Sequence, residues 1–316
     1  MHAAMLSFLL RLCLLLTVAL ASAKQNESND AMVISSKKTS IPHVKGNFIY
    51  HYSEGSVCGS LVMLAVGTAM SPKYYNELAT NIIQQSPDTV VFIVDNNPCN
   101  PIKVDANTFA GISNAIVDQL ADLVPVCRSV PNRKIFIGGH SAGGQAVIGA
   151  IQQREKLLKY PVAGFIGMAP FDVSKVDNSP IDVPSLQWGF SKTSCGVTYT
   201  KAAMLSYQIS QPHKGRVFYQ VVTHNWNTVS GGPHCSFTDR NCAGMCGGSK
   251  STRAFIHENV GRSVKVLIEN AGTAIGIRKS DFEFEMSSSE EVNLFVNEDT
   301  VVASSVDGVG AVLTEF

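Results

Sequence analysis

The sequence has no excess of either charge, no long basic run and no visible internal repeat. Its 25 Lys and Arg residues balance 25 Asp and Glu residues. Proteins that bind nucleic acid or anionic membranes through their surface usually carry clustered positive charge. The charge pattern therefore favours a small or neutral molecule as the binding partner and argues against nucleic acid.

The chain also lacks a long apolar run after its first 23 residues, since no later stretch reaches the ~18 apolar residues that cross a membrane. We therefore expect no membrane span in the mature protein. Hydrophobic residues make up 45% of its 316 residues, which is enough to bury one large core. This composition excludes disordered and fibrous proteins.

The first 23 residues have the pattern of a secretory signal peptide. An apolar run at residues 12–20 leads to Ala21-Ser22-Ala23, which is typical of a cleavage site. We expect the mature chain to begin at Lys24 and to be extracellular. The basic region before the apolar run is weak, so an uncleaved signal anchor is the alternative.

Seven of the eight cysteines follow this segment. In a secreted protein they indicate disulfides with one thiol left over. Cys242 and Cys246 could close a short loop; a zinc knuckle is the alternative, but an oxidising compartment and scarce nearby histidines argue against it. We expect no metal and no organic cofactor. The sequon Asn26-Glu27-Ser28 predicts N-glycosylation in a eukaryote.

Short apolar runs alternate with helical patterns along the middle of the chain. The pattern predicts strands at residues 61–66, 90–94, 134–137, 162–168, 184–188 and 216–222, and helices at 74–85, 108–123, 145–158 and 250–270. Such alternation favours an α/β fold with a mostly parallel central sheet and helices on both faces.

The ends of the chain differ in composition from its middle. We expect a polar leader at residues 24–45, one domain at 46–275 and a mobile acidic tail at 276–316. From residue 281 onward there are nine acidic residues and no Lys or Arg. The alternation at residues 292–295 leaves room for an added edge strand.

A nucleophile elbow is the strongest chemical signal. Gly139-His140-Ser141-Ala142-Gly143 directly follows a predicted strand and precedes a predicted helix, which is the context that the G-x-S-x-G motif requires. Ser141 is therefore the expected nucleophile, and the amides at the start of the next helix would face a developing oxyanion. His140 fills a variable position and is expected to be a spectator.

A second oxyanion donor should come from the loop after an earlier strand. Val66-Gly67-Thr68 ends the predicted strand 61–66. We assign the backbone N–H groups of Thr68 and Ala142 to the oxyanion hole. An ordinary strand-to-helix turn would explain Gly67 equally well.

The catalytic base should be a histidine that follows the last strand. His234 lies in a loop of small residues between the predicted strand 216–222 and the final helix. His224 is the rival candidate because it stands nearer the strand end. His213 precedes that strand and His257 lies within the helix, so structural or solvated roles are expected for both.

The acid of the triad has two candidates. Asp172 is the first carboxylate after the predicted strand 162–168, and Asp177 is the reserve. No carboxylate follows the next strand through Ser194. A helix N-cap is the competing role for either aspartate.

These motifs resemble the branch of α/β-hydrolases that includes chlorophyllases and cutinase-like polyester hydrolases. The resemblance covers about residues 45–270, and it is carried by four segments in order: Val66-Gly67-Thr68 with Tyr74-Tyr75, Gly139 to Gly144, Ala169 to Asp172, and Gly231 to Cys235. It implies an α/β-hydrolase fold with a Ser-His-Asp triad. The chain departs from chlorophyllases at Ala142, where they have Arg. The acid of chlorophyllases corresponds to Ala169, and that of the polyester hydrolases to a position near Thr193.

The pattern therefore predicts a secreted serine esterase that cleaves a carboxylic ester through an acyl-enzyme. Met70, Phe171, Trp188 and Phe190 favour a hydrophobic, lipid-like acyl or alcohol group. A catalytically silent hydrolase fold used for binding is the alternative from another class. Acyl transfer or thioester hydrolysis would use the same residues.

Overall fold

The structure is a computed structural model, and it describes residues 32–41, 47–95, 105–128, 133–171, 179–190, 206–210, 215–222, 233–240, 250–271, 291–296 and 300–304. The strands in this part of the chain are β1 (Ile34–Thr39), β2 (Phe48–Ser53), β3 (Ser60–Ala65), β4 (Thr89–Val94), β5 (Lys134–His140), β6 (Gly164–Met168), β7 (Ser185–Phe190), β8 (Arg216–Val222), β9 (Glu291–Val296) and β10 (Thr300–Ser304). They form one sheet in the order β1-β2-β4-β3-β5-β6-β7-β8-β9-β10.

The centre of the sheet is parallel and its two edges are antiparallel. Strands β4, β3, β5, β6, β7 and β8 pair in parallel, whereas β1 and β2 on one side and β9 and β10 on the other pair antiparallel. The prediction of an α/β fold with a mostly parallel sheet is confirmed. Strand β5 lies in the middle, so its carboxyl end is flanked by those of β3 and β6.

Helices cover both faces of this sheet. They are α1 (Asn76–Gln85), α2 (Ala106–Asp118), α3 (Leu120–Leu123), α4 (Ala142–Gln152), α5 (Arg154–Leu157) and α6 (Lys250–Asn270). Side chains of β3 alternate between two cores: Val62 and Leu64 pack with α1 and α6, and Leu61 and Met63 pack with α2 and α4. Period-two alternation of buried residues thus joins the sheet to helices on each side.

The edge strands differ most from the sequence-based expectations. Strand β1 lies inside the segment expected to be a polar leader, and the compact unit begins at Ile34. Its sequence, ISSKKT, has little apolar alternation because an edge strand can be held by backbone hydrogen bonds alone. Strand β9 includes the alternating stretch at 292–295, where the sequence left room for an added strand, and pairs with β8 within the segment expected to be a mobile tail.

A disulfide joins the loop before β3 to the turn Pro125–Cys127 that follows α3. Cys58 and Cys127 are bonded at an S–S distance of 2.05 Å and are separated by 69 residues in sequence. Closing a loop of this length stabilises a protein by about 4 kcal/mol in the chain-entropy description. Cys242 and Cys246 lie outside the described residues. No helix in the described ranges has the length and apolarity needed to cross a bilayer.

Candidate active site

Ser141 occupies a sharp turn between β5 and α4. Strand β5 ends at His140, α4 begins at Ala142, and Ser141 between them has φ 54° and ψ −123°. A positive φ is strained for a residue with a side chain and persists only where the surroundings enforce it. The Ser141 hydroxyl does not cap the helix that follows. This backbone is the one that a nucleophile elbow requires.

The glycines around Ser141 are required by close backbone approach. A Cβ on Gly143 would lie 2.4 Å from the carbonyl oxygen of Ala65, and a Cβ on Gly139 would lie 2.5 Å from the carbonyl carbon of Gly143. Both distances are well inside van der Waals contact. The turn after β5 therefore packs directly on the end of β3, and only glycine fits there.

The loop after β6 holds the turn from its other side. The Ser141 N–H donates to the Met168 carbonyl at 3.0 Å, and the Phe171 N–H donates to the Ser141 carbonyl at 2.9 Å. A Cβ on Gly144 would lie 2.9 Å from Cβ of Pro170. These two backbone hydrogen bonds and this packing therefore fix the Ser141 backbone against the loop after β6.

The loop after β3 passes directly beside the expected nucleophile. A Cβ on Gly67 would lie 3.2 Å from Cβ of Ser141 and 3.1 Å from Nδ1 of His140. Gly67 donates its N–H to the Tyr75 hydroxyl at 2.9 Å, and its carbonyl accepts the Met70 N–H at 3.1 Å. The Gly67 amide is thus already engaged, and Thr68, which is partly buried, supplies the next amide along the turn.

His234 lies against the residue that precedes Ser141. It belongs to a 3₁₀ helix, Pro233–Phe237, and is 4% exposed. Its ring centroid lies 4.8 Å from that of His140, and its carbonyl oxygen lies 2.9 Å from Nε2 of His140. Burial, with a smaller contribution from His140, holds the pKa of His234 well below its usual range, so its imidazole is neutral at physiological pH.

His140 is not the spectator that the sequence led us to expect. It is 1% exposed, and its Nδ1 lies 2.8 Å from the Tyr75 hydroxyl while Nε2 contacts the His234 carbonyl. Burial lowers the pKa of His140 to about 4. Tyr75, whose pKa is raised by burial, was also not predicted as a site residue. The Tyr74-Tyr75 pair was the available signal, but sequence cannot pair a helix-start tyrosine with a residue 65 positions later.

With this geometry established, the comparisons add no family. No protein-family model matches the chain, and no curated protein matches its sequence. The site must therefore be assigned from its own residues.

The two candidates for the triad acid, Asp172 and Asp177, lie outside the described residues, as does the rival base His224. Phe171, which immediately precedes Asp172 in sequence, is hydrogen-bonded to Ser141. Ala169, which the sequence resemblance aligned with the acid of chlorophyllases, has φ 43°, which Asp and Asn adopt more readily than Ala. No carboxylate is available at that position in this chain.

His213 also lies outside the described residues, but His257 lies in the core near α1. Its Nδ1 is 3.7 Å from a carboxylate oxygen of Glu77, and ligand atoms of Glu77, Asp239 and His257 lie within 4.8 Å of one another. Both Asp239 carboxylate oxygens accept backbone N–H groups, from Asn76 and Glu77. Asp239 therefore caps the start of α1, and of the structural or solvated roles expected for His257, its burial fits the structural one.

A disulfide-bonded cysteine lies next to the expected base in sequence. Cys235 follows His234 in the 3₁₀ helix, is 1% exposed and is disulfide-bonded. A cross-link at the residue next to His234 restrains the segment that carries the expected base.

Proposed function

We propose that this chain is a serine hydrolase of the α/β-hydrolase fold that cleaves carboxylic esters. The observation that carries the proposal is the strained backbone of Ser141, φ 54°, at a strand-to-helix turn in the centre of a parallel sheet. Ligands of α/β proteins bind beyond the carboxyl ends of the parallel strands. Gly67 and His234 approach the same turn from two other segments.

The proposed reaction follows the chemistry of a serine triad. The Ser141 hydroxyl attacks the ester carbonyl while His234 accepts its proton, and His234 then returns that proton to the leaving alcohol. Water, deprotonated by His234, hydrolyses the acyl-enzyme and releases the acid. The N–H groups of Thr68 and Ala142 and the positive end of α4 stabilise the oxyanion.

The environment of His234 calls for an acidic partner. Burial and His140 both lower the pKa of His234, which keeps it neutral but makes its imidazolium costly during the reaction. A carboxylate beside the imidazole offsets that cost and fixes its tautomer. We assign this role to Asp172, with Asp177 as the alternative.

The four apolar residues singled out in the sequence differ in burial. Trp188 and Phe190 are fully buried: Trp188 stacks on Tyr219 at 4.3 Å. Met70 and Phe171 are only partly buried, and their amides bond to Gly67 and Ser141 respectively. We therefore propose a hydrophobic acyl or alcohol group that contacts Met70 and Phe171.

The test is covalent labelling with a fluorophosphonate, which reacts with an activated serine whatever the substrate. Wild-type protein and Ser113→Ala should both be labelled, because Ser113 is a buried serine of α2 remote in sequence from the elbow. Ser141→Ala should not be labelled and should lose turnover of short-chain p-nitrophenyl esters. Labelling of Ser141→Ala at the wild-type level would refute the nucleophile.

The same experiment separates the alternatives. Absence of labelling in the wild-type protein would favour the silent binding fold. Products formed with an added alcohol or from a thioester would distinguish transfer and thioesterase activities, which share the proposed residues.

We also propose that the protein is secreted. The buried Cys58–Cys127 disulfide supports this, because disulfides form and persist in oxidising compartments. N-terminal sequencing of the protein from culture medium should begin at Lys24.

A further inference from the structure

Gly67, Tyr75, His140 and His234 form a continuous chain of three hydrogen bonds at distances of 2.9, 2.8 and 2.9 Å. We infer that Tyr75 and His140 are positioning residues, which hold the segment of the base His234 in fixed relation to the oxyanion turn at Gly67 and Thr68. This inference rests on the proposed function and adds two residues to its machinery.

The donors and acceptors fix the direction of every bond in the chain. The His234 carbonyl can only accept, so Nε2 of His140 must carry the proton. In the neutral ring Nδ1 of His140 is then an acceptor, and the Tyr75 hydroxyl donates to it. The Tyr75 oxygen in turn accepts the Gly67 N–H. Of the two neutral tautomers of His140, only the Nε2–H form satisfies all three contacts.

Burial makes this arrangement stiff and costly to break. Tyr75 and His140 are each 1% exposed. A buried polar group that loses its partner bears the full desolvation cost, so each member holds the next in place. The low pKa of His140, about 4, agrees with a permanently neutral ring.

The chain of bonds also selects the oxyanion donor. Because the Gly67 N–H is given to Tyr75, it is not offered to a substrate, and the turn presents the following amide, that of Thr68. Tyr75 stands in the 3₁₀ turn Pro72–Tyr75 at the start of α1. The hydrogen bonds of Tyr75 and His140 therefore link three separate segments: the oxyanion turn, the start of α1 and the His234 helix.

The decisive variant is Tyr75→Phe in the full-length protein, which removes only the hydroxyl. Its matched control is Tyr50→Phe. Tyr50 lies on β2 and, like Tyr75, is buried with a hydrogen-bonded hydroxyl, which donates to the Leu123 carbonyl at 2.6 Å. We expect kcat of Tyr75→Phe to fall about 10- to 100-fold with little change in KM, and kcat of Tyr50→Phe to stay near that of the wild-type protein. Both variants should have a lower melting temperature, Tyr75→Phe the more so because its hydroxyl has two partners and that of Tyr50 has one. Wild-type kcat in Tyr75→Phe would overturn the inference.

A second variant and a spectrum keep the test independent of folding. His140→Gln retains a donor toward the His234 carbonyl and should keep more kcat than His140→Leu; equal kcat values in the two would count against positioning. Long-range ¹H–¹⁵N spectra at neutral pH should show His140 as the neutral Nε2–H tautomer. An Nδ1–H or charged His140 would overturn the inference whatever the activity.

The readouts distinguish this inference from the proposed function. A wild-type protein that no fluorophosphonate labels would refute the proposed function, and the positioning role with it. A labelled wild-type protein whose Tyr75→Phe variant behaves like Tyr50→Phe would refute positioning alone.

Discussion

At the scale of single residues, three of the four described non-glycine residues with positive φ follow neighbouring strands at one edge of the sheet, and the fourth, Cys58, precedes β3. Ala69, Ser141 and Ala169 have φ of 57°, 54° and 43°. Each follows the end of one of the neighbouring strands β3, β5 and β6. Such conformations cost of order 1–3 kcal/mol each and concentrate at functional sites. The clustering places the strain at the edge where we propose the chemistry.

The assignment of His234 as the base can be tested against His224. His234→Ala should lower kcat/KM for a p-nitrophenyl ester about 10⁴-fold or more, because the base acts in the transition state of both half-reactions. His224→Ala should lower it far less. The opposite ranking would transfer the role to His224.

The sequence was enough to rank the candidates for the base, but it did not identify the residues that hold the base in place. His234 was favoured because it lies between a strand and the last helix, and the structure places it beside His140. The contacts of His140 with Tyr75 and His234 span 65 and 94 residues. No local sequence pattern encodes contacts over such sequence separations, so His140, at the variable position of the motif, was expected to be a spectator.

At the scale of elements, buried strands were the most predictable part of the fold. Strand β8 begins and ends where the sequence predicted. A run of mostly apolar residues bounded by polar segments is the pattern of a strand that lies between two others in a sheet. The predicted helix at 108–123 is divided into α2 and α3 at Gln119. Strands β1 and β2 were not predicted, since β1 has almost no apolar signal.

Two glycine-to-alanine changes should have opposite effects on stability, because only one of them lies at the contact between α4 and β3. Gly143→Ala should lower the free energy of unfolding by roughly 1–3 kcal/mol or more, because its Cβ would overlap the Ala65 carbonyl. Gly111→Ala, at an exposed position of α2 with nothing within 4 Å of the new Cβ, should raise it by about 1 kcal/mol.

Urea unfolding of both variants at neutral pH would measure these differences. A neutral Gly143→Ala would show that the turn can move away from β3, contrary to the packing described.

At the scale of the whole molecule, buried neutral histidines dominate the response to acid. His51, His140 and His257 each have a pKa lowered to about 4, mainly by burial, against an ordinary value of 6.5. Because the unfolded chain binds these protons more readily, their stabilising effect is complete above pH 6.5 and is lost as the pH falls toward 4. Asp239 acts oppositely, since its pKa is raised to about 6 by burial.

These three histidines, together with His234, whose pKa is also lowered by burial, oppose one aspartate and predict a net loss of stability in acid. The free energy of unfolding, measured by urea titration, should fall between pH values of about 6.5 and 4, by up to roughly 3 kcal/mol for each histidine. His51→Gln should reduce the slope by about one proton, since His51 lies on β2, away from the elbow. Constant or rising stability over this range would contradict the prediction.

The hydrogen bonds from Gly67 through Tyr75 and His140 to His234 also constrain when the protein can become active. They join positions separated by 8, 65 and 94 residues, and the last member lies just before the final long helix. Contacts of large sequence separation form late, and a growing chain folds only what has left the ribosome. A nascent chain that ends before residue 234 has the serine, Tyr75 and His140 but lacks the proposed base. Hydrolytic activity should therefore arise only after nearly the whole domain has been synthesised, so that the reactive serine stays latent during translation.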